Sequence, residues 1–101
     1  MTDQTKTPQQ YWQIQLPCDR FPKPKFQFND QVAIYGEDDQ GNCYCEIGVI
    51  VGMQYITEGD QPAQWYYRIK YLKFDDAPWL VGTYDLDFVE ESRFVADDTE
   101  I

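Results

Sequence analysis

The run from Cys43 to Ile56 constrains this chain most, because Cys43, Cys45, Ile47, Val49, Val51 and Met53 recur at every second position. A period of two places those side chains on one side of an extended strand, whereas a helical stripe would recur at three and four. Gly48 and Gly52 fall on the other side of the same ladder. Glycines four apart in so long a strand let a neighbouring backbone approach closely and let the strand coil, which is how one strand passes from one half of a small barrel to the other. No segment carries an apolar stripe at helical spacing over ten or more residues, so the expected fold class is all-β with no long helix.

The remaining strands follow from the same period. Val32 and Ile34 share a face in Gln31 to Tyr35, after the turn-forming pair Asn29-Asp30, and the polar loop Gly36 to Asn42 closes that strand. From Trp65 to Leu72, Trp65, Tyr67, Ile69 and Tyr71 point one way and Tyr66, Arg68, Lys70 and Leu72 the other. Trp79 to Tyr84 reads as a short strand, Tyr84 to Asp87 as a single 3₁₀ turn, and Phe88 to Glu91 as the strand that closes the ladder. Upstream, Trp12, Ile14 and Leu16 alternate with Gln13 and Gln15, which predicts an additional N-terminal strand over Tyr11 to Leu16. Between the two, Pro17, Pro22 and Pro24 fix φ and remove three donors, making Pro17 to Lys25 an extended connector.

At 101 residues there is room for one core and one domain. Residues 1–10 are polar and read as a disordered arm, residues 11–95 as the domain with the barrel proper over 26–91, and residues 96–101 as an acidic tail. Net charge is −10, unevenly spread: residues 1–74 hold nine acids and seven bases, a net of −2, and residues 75–101 nine acids and one base, Arg93, a net of −8. Such acidity counts against a general nucleic-acid binder, whose affinity comes mostly from cations facing phosphates. The longest apolar run, Ile47 to Met53, is interrupted by both glycines and is far short of the roughly 18 residues of a membrane span. With no signal-like start and three cysteines, an odd number, the expected setting is a reducing cytoplasm without a disulfide scaffold.

Four short features occur in the order seen in SH3-like small barrels of the Tudor, chromo and KOW type. Phe28-Asn29-Asp30-Gln31-Val32 is similar to that superfamily's opening turn and strand, with Asn29 where a glycine is usual. Gly48-Val49-Ile50-Val51-Gly52 resembles its Gly-x-Val-x-Gly strand, Trp65-Tyr66-Tyr67-Arg68-Ile69 its Trp-x-Tyr-x-Val strand, and Pro78-Trp79-Leu80-Val81 with Asp85-Leu86 its closing strand and 3₁₀ turn. The resemblance covers residues 26–91 and implies an SH3-like barrel of about five strands. Such barrels bind peptides, nucleic acids and other subunits alike, so the fold alone assigns no activity.

Chemistry-bearing residues are sparse. Histidine is absent, which removes the commonest general base and metal ligand together, and the single serine, Ser92, lies between Glu91 and Arg93 without flanking glycines. Cys43 and Cys45 with Cys18 fall short of the four ligands a structural zinc needs, and they read instead as small apolar fillers of a barrel wall. No Asp-x-Asp-x-Asp-Gly calcium loop is present, and the carboxylates at Asp85, Asp87, Glu90 and Glu91 read as a solvated face. No catalytic residue, metal or cofactor is therefore expected. The candidate binding residues are the aromatics Tyr35, Trp65, Tyr67 and Trp79, which in a Tudor-like barrel would cage a methylated cation, and Tyr66, Arg68 and Lys70 on one strand face. The expected function is a non-catalytic protein-interaction module whose partner is another protein. An acidic nucleic-acid-mimicking inhibitor and a nucleic-acid-binding barrel using Tyr66, Arg68 and Lys70 are the alternatives.

Overall fold

A computed structural model describes Gln10, Trp12 and residues 14–60 and 62–101. Five antiparallel strands, β1 (Gln31–Glu37), β2 (Cys43–Ile56), β3 (Gln64–Phe74), β4 (Val89–Glu90) and β5 (Val95–Ala96), form one sheet in the order β4, β3, β2, β1, β5. The sheet curls into a half-barrel. Among the described residues the only helical segments are two 3₁₀ turns, Pro78–Leu80 and Glu91–Arg93, and no helix is long and apolar enough to cross a membrane.

β2 is the strand shared by both halves: it pairs with β1 over Cys43 to Val49 and with β3 over Glu46 to Ile56. Its curl comes from two breaks in the β3 register. Leu72 is skipped between the Ile47–Lys73 and Gly48–Tyr71 pairs, and Val51 between Ile50–Ile69 and Gly52–Arg68. Each extra residue bends the ladder and reverses which side the following residues face. The six-residue face expected from Cys43 to Met53 is broken at Val51, the extra residue on β2, whereas Leu72 is the extra residue on β3. Ile50 enters the core, Met53 and Tyr55 pack against it, and Cys43 lies exposed with Cys45 half-buried, so neither cysteine fills the barrel interior.

The two glycines consequently face opposite sides. A Cβ on Gly48 would lie 2.6 Å from the Lys70 carbonyl oxygen and 2.9 Å from Ile69 Cδ1, on the core side, while one on Gly52 would meet the Phe88 ring at 3.0 Å on the outer side. Only at Gly48 is the obstacle backbone. Asn29 occupies the opening turn with φ of 73°, the left-handed conformation that its short amide side chain accepts.

The core gathers Val32 and Ile34 from β1, Ile50 from β2, and Trp65, Tyr67, Ile69 and Tyr71 from β3. Phe26, the residue after the connector, and Phe94 after the second 3₁₀ turn complete it, each edge-on to Tyr67 with centroids 5.6 and 5.8 Å away. Burying a ring of that size contributes about 1.5–3 kcal/mol. Phe26 is 4% exposed, and within the connector Phe21 packs against this core as a partly buried ring.

Two local expectations change. Trp79 to Tyr84 is not a strand: Pro78–Leu80 turns as a 3₁₀ helix and Gly82 follows with φ of 87°, leaving Tyr84 as a single bridge to Lys70. The 3₁₀ turn expected over Tyr84 to Asp87 is replaced by those at Pro78–Leu80 and Glu91–Arg93. For the N-terminal strand, Tyr11 and Gln13 lie outside the described residues, as do residues 1–9 of the arm expected over 1–10. Trp12 and Ile14 to Leu16 are exposed and enter no strand.

The expected boundary at residue 96 falls inside β5, whose Val95 and Ala96 pair with Ala33 and Val32. Beyond it, the Asp97 N–H donates to the Gln31 carbonyl at 3.0 Å, and Gln31 Nε2 donates to Asp97 Oδ2 and to the Thr99 carbonyl, each at 2.7 Å. Hydrogen bonds from Gln31 and Thr99 hold the Asp97 carboxyl below the usual carboxylate range.

Candidate interaction surface

The expected candidate residues separate by face. Trp65 and Tyr67 are core, at 6% and 0% exposure, whereas Tyr35 and Trp79 are at 63% and 76%. Tyr35 sits on β1 opposite Cys45 of β2, and Trp79 in the first 3₁₀ turn. These four rings do not surround one ligand, because strand alternation sends Trp65 and Tyr67 inward. The Tyr35 hydroxyl is held above the usual phenol range, first by the charge on neighbouring Cys45.

Tyr66, Arg68 and Lys70 do share one surface, the outer face of β3. The β3–β4 connection supplies the rest of it. Between Tyr84, paired with Lys70, and Val89, paired with Tyr67, the outer strand carries two residues more than β3 does, so it bulges at Leu86, which is 91% exposed. Arg68 Nε donates to the Asp85 carbonyl at 2.6 Å and closes the base of that bulge. The Tyr84 ring receives two cations, Arg68 Cζ at 5.7 Å and Lys70 Nζ at 5.8 Å from its centroid. Exposed contacts of this kind contribute about 0.5–1 kcal/mol each.

Beside this cluster Phe88 lies over Gly52, and a shallow depression of about 480 Å³ opens between Tyr66, Phe88, Val89 and Glu90. Tyr84, Leu86 and Phe88 are all exposed. The surface thus combines a ring-lined hollow with two positive groups, in a chain whose net charge is −10. Tyr84 and Phe88 were missed as site residues, although Tyr84-Asp85-Leu86-Asp87-Phe88 carries a period-two signal. Reading Tyr84 to Asp87 as a 3₁₀ turn and starting a strand at Phe88 concealed it.

In the acidic C-terminal quarter, Asp75, Asp85, Glu91 and Asp97 are each engaged by other groups of the chain. Asp85 Oδ1 accepts from the Asp87 N–H, Glu91 Oε2 from Tyr67 and the Lys25 N–H, Asp97 from Gln31 and Thr99, and Asp75 meets Lys73 at 3.8 Å. Asp75 and Asp85 are engaged by near neighbours in the chain, whereas Glu91 and Asp97 also bind residues 66 positions away. Near the end of β3, burial and then the Asp85 charge raise Glu46, while burial followed by Asp85 and Glu46 pushes the Tyr71 hydroxyl well above the phenol range. Among the described residues no three Cys, Asp or Glu side chains group as metal ligands. Neither a family model, nor a curated protein, nor a solved structure matches the chain.

Proposed function

We propose that this chain is a non-catalytic protein-interaction module built on an SH3-like barrel. The barrel reading is supported by strand order: a meander of β1 to β4 with a 3₁₀ turn before a short β5 that returns to β1. The observation that carries the functional reading is the outer face of β3, where Tyr66, Arg68 and Lys70 meet Tyr84 and Phe88 in an exposed surface that the fold does not cover.

The partner is a protein segment bearing carboxylates opposite Arg68 and Lys70 and an apolar side chain over the Tyr66–Phe88 hollow. A polyanion such as nucleic acid fits less well, since the chain's net charge of −10 repels it beyond the local pair and Glu90 lines the hollow. The test is cross-linked affinity capture from the native cell with wild type and with the double variant Arg68→Glu, Lys70→Glu. Recovery of a protein by wild type, at least tenfold depleted with the folded double variant, supports the module. Equal recovery by both, or gel-shift binding of RNA or DNA that the double variant loses, overturns it.

A further inference from the structure

Charge on the outer face of β3 is ordered along the strand. Pairing register sets three rows across the sheet: Gln54 of β2, Tyr66 of β3 and Glu90 of β4 in the first, Gly52 and Arg68 in the second, and Val49, Lys70 and the bridged Tyr84 in the third. Phe88 covers the second row, its ring 3.0 Å from where a Cβ on Gly52 would stand. Successive rows are two residues apart, so the first and third are separated by about 13 Å along β3. The first row carries a carboxylate, and the second and third each carry a cation.

None of these charges is paired within the fold: among the described residues the one ion pair joins Lys73 to Asp75. Arg68 donates from Nε to the Asp85 carbonyl oxygen, and its Cζ and Lys70 Nζ lie over the same Tyr84 ring at 5.7 and 5.8 Å. The nearby Asp85 carboxylate is turned to the Asp87 N–H instead. Two cations side by side repel one another until an anion meets both. At the other end Glu90 lines the hollow that Tyr66, Phe88 and Val89 complete, so an apolar depression separates a negative pole from a positive one. The occupant that fits is the complement in the same order. In an extended peptide alternate side chains recur at the pitch of β3 itself, so residues 1, 3 and 5 of such a peptide match these rows. A uniformly acidic segment instead sets a carboxylate against Glu90.

We infer that the outer face of β3 takes an extended protein segment of ordered charge: a Lys or Arg opposite Glu90, an apolar side chain two residues on in the Tyr66–Phe88 hollow, and an Asp or Glu two residues further opposite Arg68 and Lys70. This deepens the interaction-module reading and rests on it for the existence of a partner; what it adds is a role for Glu90 in choosing that partner. Recognition is through side chains, so either chain direction satisfies the order. An exposed ion pair changes affinity by about fivefold at most, and charge order therefore selects between segments more than it strengthens binding.

The experiment titrates two end-capped peptides, Thr-Lys-Thr-Leu-Thr-Glu-Thr and the same peptide with Glu for Lys, against the full chain at low salt. Amide resonances of β3 and β4 are followed, and near-UV circular dichroism verifies the fold of each variant. Wild type is expected to bind the first peptide about fivefold tighter than the second, Glu90→Gln to bring the two together, and Glu90→Lys to reverse the preference. No saturable binding of either peptide to wild type overturns the inference, and so does an unchanged preference in folded Glu90→Lys. Affinity capture from the native cell separates this inference from the reading beneath it. A partner depleted by the double variant Arg68→Glu, Lys70→Glu and also by Glu90→Lys supports the charge order. Depletion by the double variant alone overturns the order and leaves the module standing, whereas equal recovery by wild type and all variants overturns both.

Discussion

The Tyr67 hydroxyl donates to Glu91 Oε2 at 2.5 Å while accepting the Phe26 backbone N–H at 3.3 Å. The same carboxylate oxygen accepts the Lys25 N–H, so one fully buried ring on β3 and one carboxylate at the second 3₁₀ turn tie the connector to the barrel. Burial and the bond to Glu91 push the Tyr67 hydroxyl well above the phenol range, which keeps it a donor at any physiological pH. Removing the hydroxyl leaves the Phe26 N–H without its acceptor and takes one of two donors from Glu91 Oε2. Tyr67→Phe is expected to lower unfolding free energy by about 1–3 kcal/mol in urea titrations, and Glu91→Ala to speed amide exchange at Lys25 and Phe26.

Alanine at Gly48 and at Gly52 should differ in cost. At Gly48 the new methyl meets a carbonyl oxygen of β3 at 2.6 Å, and backbone can yield only by distorting the ladder, so a loss of about 1–3 kcal/mol or more is expected. At Gly52 it meets the edge of Phe88, a half-exposed ring able to turn aside, and the loss is smaller. Parallel chemical denaturation of Gly48→Ala and Gly52→Ala checks the ranking; equal midpoints would contradict the role assigned to Gly48.

Glu46 has a folded pKa raised above its ordinary 4.5, first by burial and then by Asp85. The folded state therefore keeps a proton that the unfolded state has already released, and the contribution of Glu46 to stability declines as pH rises from 4.5 through the raised value. Glu46→Gln is expected to raise Tm at pH 7 and to leave it near that of wild type at pH 4. An unchanged difference between variant and wild type across that range would show that Glu46 is not coupled to folding.

β5 is two residues long and relies on Gln31 beyond it. Gln31→Ala removes both side-chain bonds and is expected to increase hydrogen exchange at Ala96 and Asp97 by severalfold, with little change in the β2–β3 pair. Protection spreading equally from both regions would mean that β5 and the core open as one unit.

The sheet-forming segments were legible where one face is buried and the other is not. Trp65, Tyr67, Ile69 and Tyr71 alternate without interruption, and β3 runs through all four. β2 was legible as a strand but not as a face, because Val51 is skipped by a pairing choice between strands that leaves no mark on the local pattern. β4 and β5 are two residues each, too short for any period, and exist because a core is already there to receive them. On the candidate surface, Tyr66, Arg68 and Lys70 followed from strand alternation. Tyr84 joined them only through its bridge to Lys70.

What the sequence determined by itself is the class of the molecule: alternation dictates strands, the spacing of Gly48 and Gly52 permits a tightly coiled one, and the absence of histidine from all 101 residues removes a family of chemistries. What the tertiary structure decided is which side of each strand meets the core and what the connector touches. Those depend on register, and register is set by contacts between residues far apart in the chain: Gly48 against Lys70, Phe21 against Tyr55 and Trp65, Glu91 bonded to Tyr67. Local periodicity carries no information about such pairs, since each is chosen by the packing of the whole sheet rather than by the segment that contains it.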